Sequence, residues 1–75
     1  MNRRWFLSLH AVARCREMGL TRTDVVRVLD DPAVSWPSHG RRVACAGDLA
    51  VVFDAQLGVV VTVLWWTQEH YRRAA

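Results

Sequence analysis

Arg41-Arg42-Val43-Ala44-Cys45-Ala46-Gly47-Asp48-Leu49-Ala50-Val51-Val52-Phe53-Asp54 is the stretch that decides the fold. Two short runs rich in valine and alanine flank Gly47-Asp48, a pair that favours a tight reversal. The reading is therefore an antiparallel hairpin, Arg41 to Ala46 against Leu49 to Asp54. Further along the chain, Gln56-Leu57-Gly58 makes a second turn into Val59 to Thr67. That run is apolar enough on both faces to be central or covered on both sides. On the N-terminal side, Ser38-His39-Gly40 is a turn. Ala33 to Trp36 precedes it as a short segment that a proline confines to the edge of a sheet.

Before Pro32 the spacing is helical. Leu9, Val12 and Ala13 recur at helical intervals, and Gly19 supplies the left-handed residue that ends a first helix over Leu9 to Met18. His10, Arg14 and Glu17 fall on one stripe beside that face. Thr21 and Asp24 form a capping-box pair, which starts a second helix with Val25, Val28 and Leu29 on one side. Asp30-Asp31-Pro32 stops it, because the residue before proline is pushed out of helical geometry. The order predicts an α+β fold: two N-terminal helices packed on one face of a three- to four-stranded antiparallel sheet. The expected core runs from residue 9 to 67, and residues 68–75 form a polar tail.

The chain has 75 residues, 52% of them hydrophobic and 23% charged, so residues 1–75 read as a single domain of ordinary globular composition. So small a core needs its four tryptophans for buried area, and self-association as a homodimer would add more. All ten basic residues are arginine against seven acids, and the net charge of +3 favours anionic partners. Cys15 and Cys45 have no metal-ligand spacing and read as buried small hydrophobes. The apolar stretch Trp5 to Leu9 meets His10 and Arg14 too soon for a secretory or spanning segment. The expectation is a cytoplasmic protein with no membrane association, no metal and no cofactor. Zinc, Walker, dinucleotide, Gly-x-Ser-x-Gly and helix-turn-helix signatures are all missing from the sequence.

His10-Ala11 with Arg14, Gly19, Thr23-Asp24-Val25, Asp31-Pro32, Gly40-Arg41-Arg42-Val43, Gly47-Asp48-Leu49-Ala50-Val51-Val52 and Val59-Val60-Val61-Thr62-Val63 form an ordered pattern spanning Leu9 to Leu64. In that order the chain resembles a family of small bacterial and phage domains of unassigned function. Their pattern is His-Ala-x-x-Arg, a glycine, a Val-Val-x-x-Leu helix and a closing Val-x-Val-Thr-Val strand. The resemblance implies a fold akin to the ribonuclease-toxin superfold shared by barnase, EndoU, nuclease colicins and RelE. It also implies an antitoxin, or a longer carrier chain, as partner. In that wider group many members cut RNA without metal, although fold alone does not fix chemistry.

Cleavage of that kind needs a base for the 2′-hydroxyl proton, a cation for the phosphorane charge and an acid for the leaving 5′-oxygen. A histidine side chain can exchange a proton near neutral pH, so His10 suits proton transfer, while Arg14 on the same stripe can clamp a phosphate with its planar fork. Arg41 and Arg42 are the candidate substrate-binding pair, alternation sending one to each face. Thr62 is the polar residue inside an apolar strand, and its hydroxyl can donate to phosphate, as a serine or threonine does in the family the chain resembles. Each residue has a plainer role. His10 can bond locally, Arg14 can pair with Glu17, Arg41 and Arg42 can guard an edge strand, and Thr62 can be a strand former. His39 and His70 have no partner at useful spacing and stand outside this set.

Two readings remain open. In the first, the chain is an RNA-binding or metal-independent RNA-cleaving toxin-like domain, which requires His10, Arg14, an arginine of the Arg41-Arg42 pair and Thr62 to converge. In the second, it is a non-enzymatic interaction module, such as a phage-encoded host-binding protein or a homodimer, anchored by tryptophan and arginine. An exposed Trp36 or Trp65 in an apolar patch, with His10 directed away from Thr62, favours the second.

Overall fold

A computed structural model describes residues 4–66 of the chain. Thr67, expected to end the last strand, and the tail from Gln68 to Ala75 with His70 lie outside the described residues. The elements are β1 (Phe6–Leu7), α1 (Leu9–Met18), α2 (Arg22–Asp30), β2 (Val34–Ser38), β3 (Arg41–Ala46), β4 (Leu49–Asp54) and β5 (Val59–Trp65). The hairpin that decided the fold is present, with Arg42 opposite Phe53 and Ala46 opposite Leu49. The α+β class holds, with both helices packed against the sheet.

The sheet itself corrects the expectation of three to four antiparallel strands: it has five, in the order β1-β5-β4-β3-β2, and it is mixed. The extra strand is β1, which lies parallel to β5 with Phe6 opposite Val59 and Leu7 opposite Val60. Two residues are too few to show a period, and their partner is distant in sequence, so no local signal marks them. The pairing is fixed by Phe6 N–H donating to the Gly58 carbonyl and Ser8 N–H donating to the Val60 carbonyl, both at 2.9 Å. At the other edge, β2 runs on through Pro37 to Ser38, a place where a missing N–H costs the ladder nothing.

Helix α1 also differs in the face it buries. Ala11 and Cys15 are its buried residues, whereas Leu9 is 90% exposed and Ala13 is exposed. Apolar residues stand on more than one side of this helix, and the small ones face the sheet: Ala11 and Cys15, one turn apart, let the backbone lie close to it. Ser8 caps the helix by accepting from the Ala11 N–H at 3.0 Å, and its hydroxyl donates to the Val61 carbonyl at 2.8 Å. Gly19 closes it at φ 72°, where a side chain would be strained. Helix α2 starts on the expected capping box, Thr21 with Asp24, and buries Val25 and Val28.

The main core lies between helices and sheet and includes Trp5, Ala11, Val25, Val51, Phe53, Val60 and Val63. Trp5 meets Phe53 edge to face at 5.3 Å. A second, smaller cluster of Val43, Cys45 and Ala50 sits on the opposite face, packed under Trp36, Val52 and Trp66. The rings of Trp36 and Trp66 lie 5.9 Å apart. An irregularity in β5 determines what joins that face. Phe53 pairs with Val60 but Val52 pairs with Thr62, which leaves Val61 as an extra residue. Val60 and Val63 therefore both enter the main core, and Thr62 turns to the face away from the helices.

Candidate functional site

Arg14 is held by the sheet edge. Strand β1 covers only Val59 and Val60 of β5, so the next outward carbonyls have no neighbouring strand. The Ser8 hydroxyl donates to the Val61 carbonyl, and Arg14 Nε donates to the Val63 carbonyl at 3.4 Å. Helix side chains thus take over the hydrogen bonding that a longer β1 would have supplied. The other arm of the guanidinium, Nη1, donates to Glu17 Oε2 at 2.9 Å, the one ion pair among the described residues. His10 is exposed in the first turn of the same helix.

Thr62 lies next in sequence to the carbonyl that Arg14 reaches, but on the other side of the sheet. It pairs with Val52, which belongs to the open-face cluster, and cross-strand partners share a face. Its hydroxyl makes no hydrogen bond within the described residues. Arg41 is on the same open face, opposite Ser38 at the start of β3. Arg42 is on the helix side, where Nη2 donates to Ser35 Oγ at 3.1 Å. Alternation did send the two arginines to opposite faces.

The five candidates therefore occupy three places: His10 and Arg14 along the β5 margin, Thr62 and Arg41 on the open face, and Arg42 beside Ser35. They do not form one cleft. A shallow hollow of about 220 Å³ lies elsewhere, lined by Ala33, Val34, Ala46, Gly47 and Trp66, and none of the candidates lines it. It is smaller than the cavities that enclose metabolite-sized ligands. Within the described residues, no group of three or more His, Cys, Asp or Glu is placed to hold a metal ion, and no helix is long and apolar enough to cross a membrane.

The open face is the richest surface in chemistry. Trp36 and Trp66 are half-buried across it, Arg41 stands at one end, and the Thr62 hydroxyl lies between Val52 and the sheet margin. Phe6, opposite Val59 and so on this face, is 61% exposed. The two tryptophans at the end of β5 diverge as alternation requires: Trp66 covers the small cluster, while Trp65, paired with Leu49, turns to the helix side and stays 54% exposed. Both cysteines are free and buried on opposite faces, Cys15 under α1 and Cys45 under the tryptophans. Burial pushes both thiols up, and the nearby Asp24 charge adds to the rise at Cys15, so neither is an activated nucleophile.

Near the arginines, Ser35 went unread in the sequence, and His39 was placed in the turn but outside the site. Ser35 sits diagonally across the hairpin from Arg42, a relation that needs the register to be known. His39 has φ 49°, the only positive value outside glycine among the described residues. The His-Gly dipeptide in a two-residue loop was the available signal. No family model, curated protein or solved structure matches the chain.

Proposed function

We propose that this chain is an RNA-directed domain that takes single-stranded RNA across the sheet face opposite its helices. The observation that carries this reading is the composition of that face: Trp36, Trp66 and Phe6 with Arg41 and Thr62. Aromatic rings offer stacking to any base, and arginine meets the phosphates between them. The net charge of +3 supports it, and among the described residues only Arg14 is in an ion pair. The resemblance of the sequence pattern to a family of small bacterial and phage domains, which implies a fold akin to the ribonuclease-toxin superfold, points the same way.

Cleavage is the narrower form of this proposal. Its support is the β5 margin alone, where Arg14 bonds the Val63 carbonyl and His10 precedes Arg14 by a helical turn, while Thr62 lies on the other face and takes no part. There His10 would accept the 2′-hydroxyl proton, Arg14 would leave Glu17 to meet the phosphorane charge, and a solvent water would protonate the leaving 5′-oxygen as the 2′,3′-cyclic phosphate forms. The test is controlled expression of the wild-type chain and His10→Ala in a bacterial host, following growth and total RNA. RNA fragments that vanish in the variant are the expected result of cleavage at this margin. Intact RNA in both strains removes cleavage of that host's RNA and leaves binding to be judged by direct titration.

A second reading, a protein-interaction module, rests on different residues. Trp65 is 54% exposed on the helix side at the end of β5, and His10 is on the helix layer while Thr62 is not. These fit an antitoxin, a host protein or a second copy of the chain. A dimer in sedimentation that Trp65→Ser dissociates, with no RNA binding by either form, favours this reading over the first.

A further inference from the structure

The register lays out the open face in lines that cross the strands. Trp36 pairs with Val43, Val43 with Val52 and Val52 with Thr62, so these four residues form one line from β2 to β5. All four are on the face away from the helices, because cross-strand partners share a face and Trp36, Val43 and Val52 belong to the smaller cluster. Three strand spacings separate its ends, about 14 Å. The line starts in a half-buried ring, crosses two valines and finishes in a half-buried hydroxyl, with no charge along it. The charge on this face stands one step to the side, and it is divided. Arg41 is two residues before Val43 on β3 and Asp54 two residues after Val52 on β4, so alternation puts both on the open face. Arg41 is on the strand next to that of Trp36, and Asp54 on the strand next to that of Thr62. A phosphate is therefore attracted at the Trp36 end of the line and repelled at the Thr62 end.

We infer that Thr62 is the residue by which the open face tells ribose from deoxyribose, its hydroxyl bonding the 2′-hydroxyl of a strand that crosses the sheet along the line from Trp36. The inference rests on the RNA reading above and adds a choice of sugar to it. The base is met by the Trp36 ring and the phosphate by Arg41, which leaves the 2′-hydroxyl as the polar group for an uncharged partner at the far end. A threonine hydroxyl suits it, since each of the two can both donate and accept.

The experiment is titration of two fluorescent strands of equal length, oligouridine and oligodeoxyuridine, against the wild-type chain, Thr62→Val, Thr62→Ser and Trp36→Ala, with a melting curve for each protein. The two strands differ only in the 2′-hydroxyl. The wild-type chain is expected to bind the ribose strand about five-fold more tightly, the worth of one neutral hydrogen bond. Thr62→Val keeps the branched shape that a strand favours and is expected to lose that preference by weakening the ribose strand alone, whereas Thr62→Ser keeps it. Trp36→Ala is expected to weaken both strands alike, because stacking does not read the sugar. Equal wild-type affinity for the two strands, or a preference that survives Thr62→Val, overturns the role of Thr62 while the RNA reading stands. No binding of either strand by the wild-type chain overturns the RNA reading itself, and the sugar selection with it.

Discussion

The two faces of the sheet are protected in different ways. On one, two helices bring Ala11, Cys15, Val25 and Val28 down onto Val51, Phe53, Val60 and Val63, and Trp5 closes the layer against Phe53. On the other, Val43, Cys45 and Ala50 are almost as well buried, but their cover is two tryptophans that remain partly in water. Burial of a residue therefore does not distinguish the faces; the cover does. A helix is held by its caps and backbone bonds, whereas Trp36 and Trp66 cover their cluster with side chains that stay partly in water. The helix face is a closed core, and the open face is the surface on which the proposed RNA binding would act.

The largest effect that can break this contrast is on tryptophan. Trp5→Ala should cost about 3–5 kcal/mol, the usual range for removing a buried tryptophan, and should leave little folded protein. Trp36→Ala, from a half-buried ring, should cost clearly less while weakening RNA binding on the open face. Urea unfolding of both variants, followed by RNA titration of Trp36→Ala, is the measurement. Equal destabilisation by the two substitutions would make the open face a second structural core and remove the reason for treating it as a binding surface.

What the sequence disclosed follows the same division. The Gly47-Asp48 hairpin, the Thr21-Asp24 cap, the Gly19 stop and the Pro32 boundary were legible because each is a local device with its own residue type. The features that determine the site are not local. Strand β1 exists only through its partner at Val59 and Val60, and the extra residue Val61 is one valine among several. Strict alternation in β5 would have put Val60 and Thr62 on the same face. The irregularity separates them, and with them the expected meeting of Thr62 with His10 and Arg14. Arg14 was correctly paired with Glu17 as the plainer reading, but its bond to the Val63 carbonyl depends on where β1 ends.

A smaller effect sharpens the comparison through the cysteines, one under each cover. Both thiols titrate above the ordinary value because burial disfavours the thiolate. Their folded-state pKa is raised, so the associated stability is complete below the ordinary thiol range and is lost as pH rises through it toward the folded value. The covers separate the two: Cys45 lies beneath side chains and Cys15 beneath a helix. Alkylation in the native state should therefore reach Cys45 first, by local opening of the tryptophan pair, and Cys15 only with wider unfolding. Mass spectrometry of a time course reads the order. Simultaneous modification would mean that the open face does not open independently.

The smallest effect lies at the start of α2, which covers the β3 and β4 half of the sheet. Asp24 Oδ2 accepts from the Thr21 N–H at 2.8 Å and from the Thr21 hydroxyl at 3.1 Å. These bonds, the backbone one foremost and helped by the Arg27 charge, hold its carboxyl below the usual carboxylate range. A lowered folded pKa stabilises above the unfolded value, and the gain is lost as pH falls through the ordinary carboxylate range to the folded value. Melting temperature should therefore drop on acidification in the wild-type chain, and Asp24→Asn should flatten part of that drop while lowering Tm at neutral pH. RNA binding at neutral pH should not change, because the cap supports the helix layer and the proposed ligand is on the other face. A loss of RNA binding in a folded Asp24→Asn protein would mean that the two faces are coupled through β3 and β4, and the open face would no longer count as an independent surface.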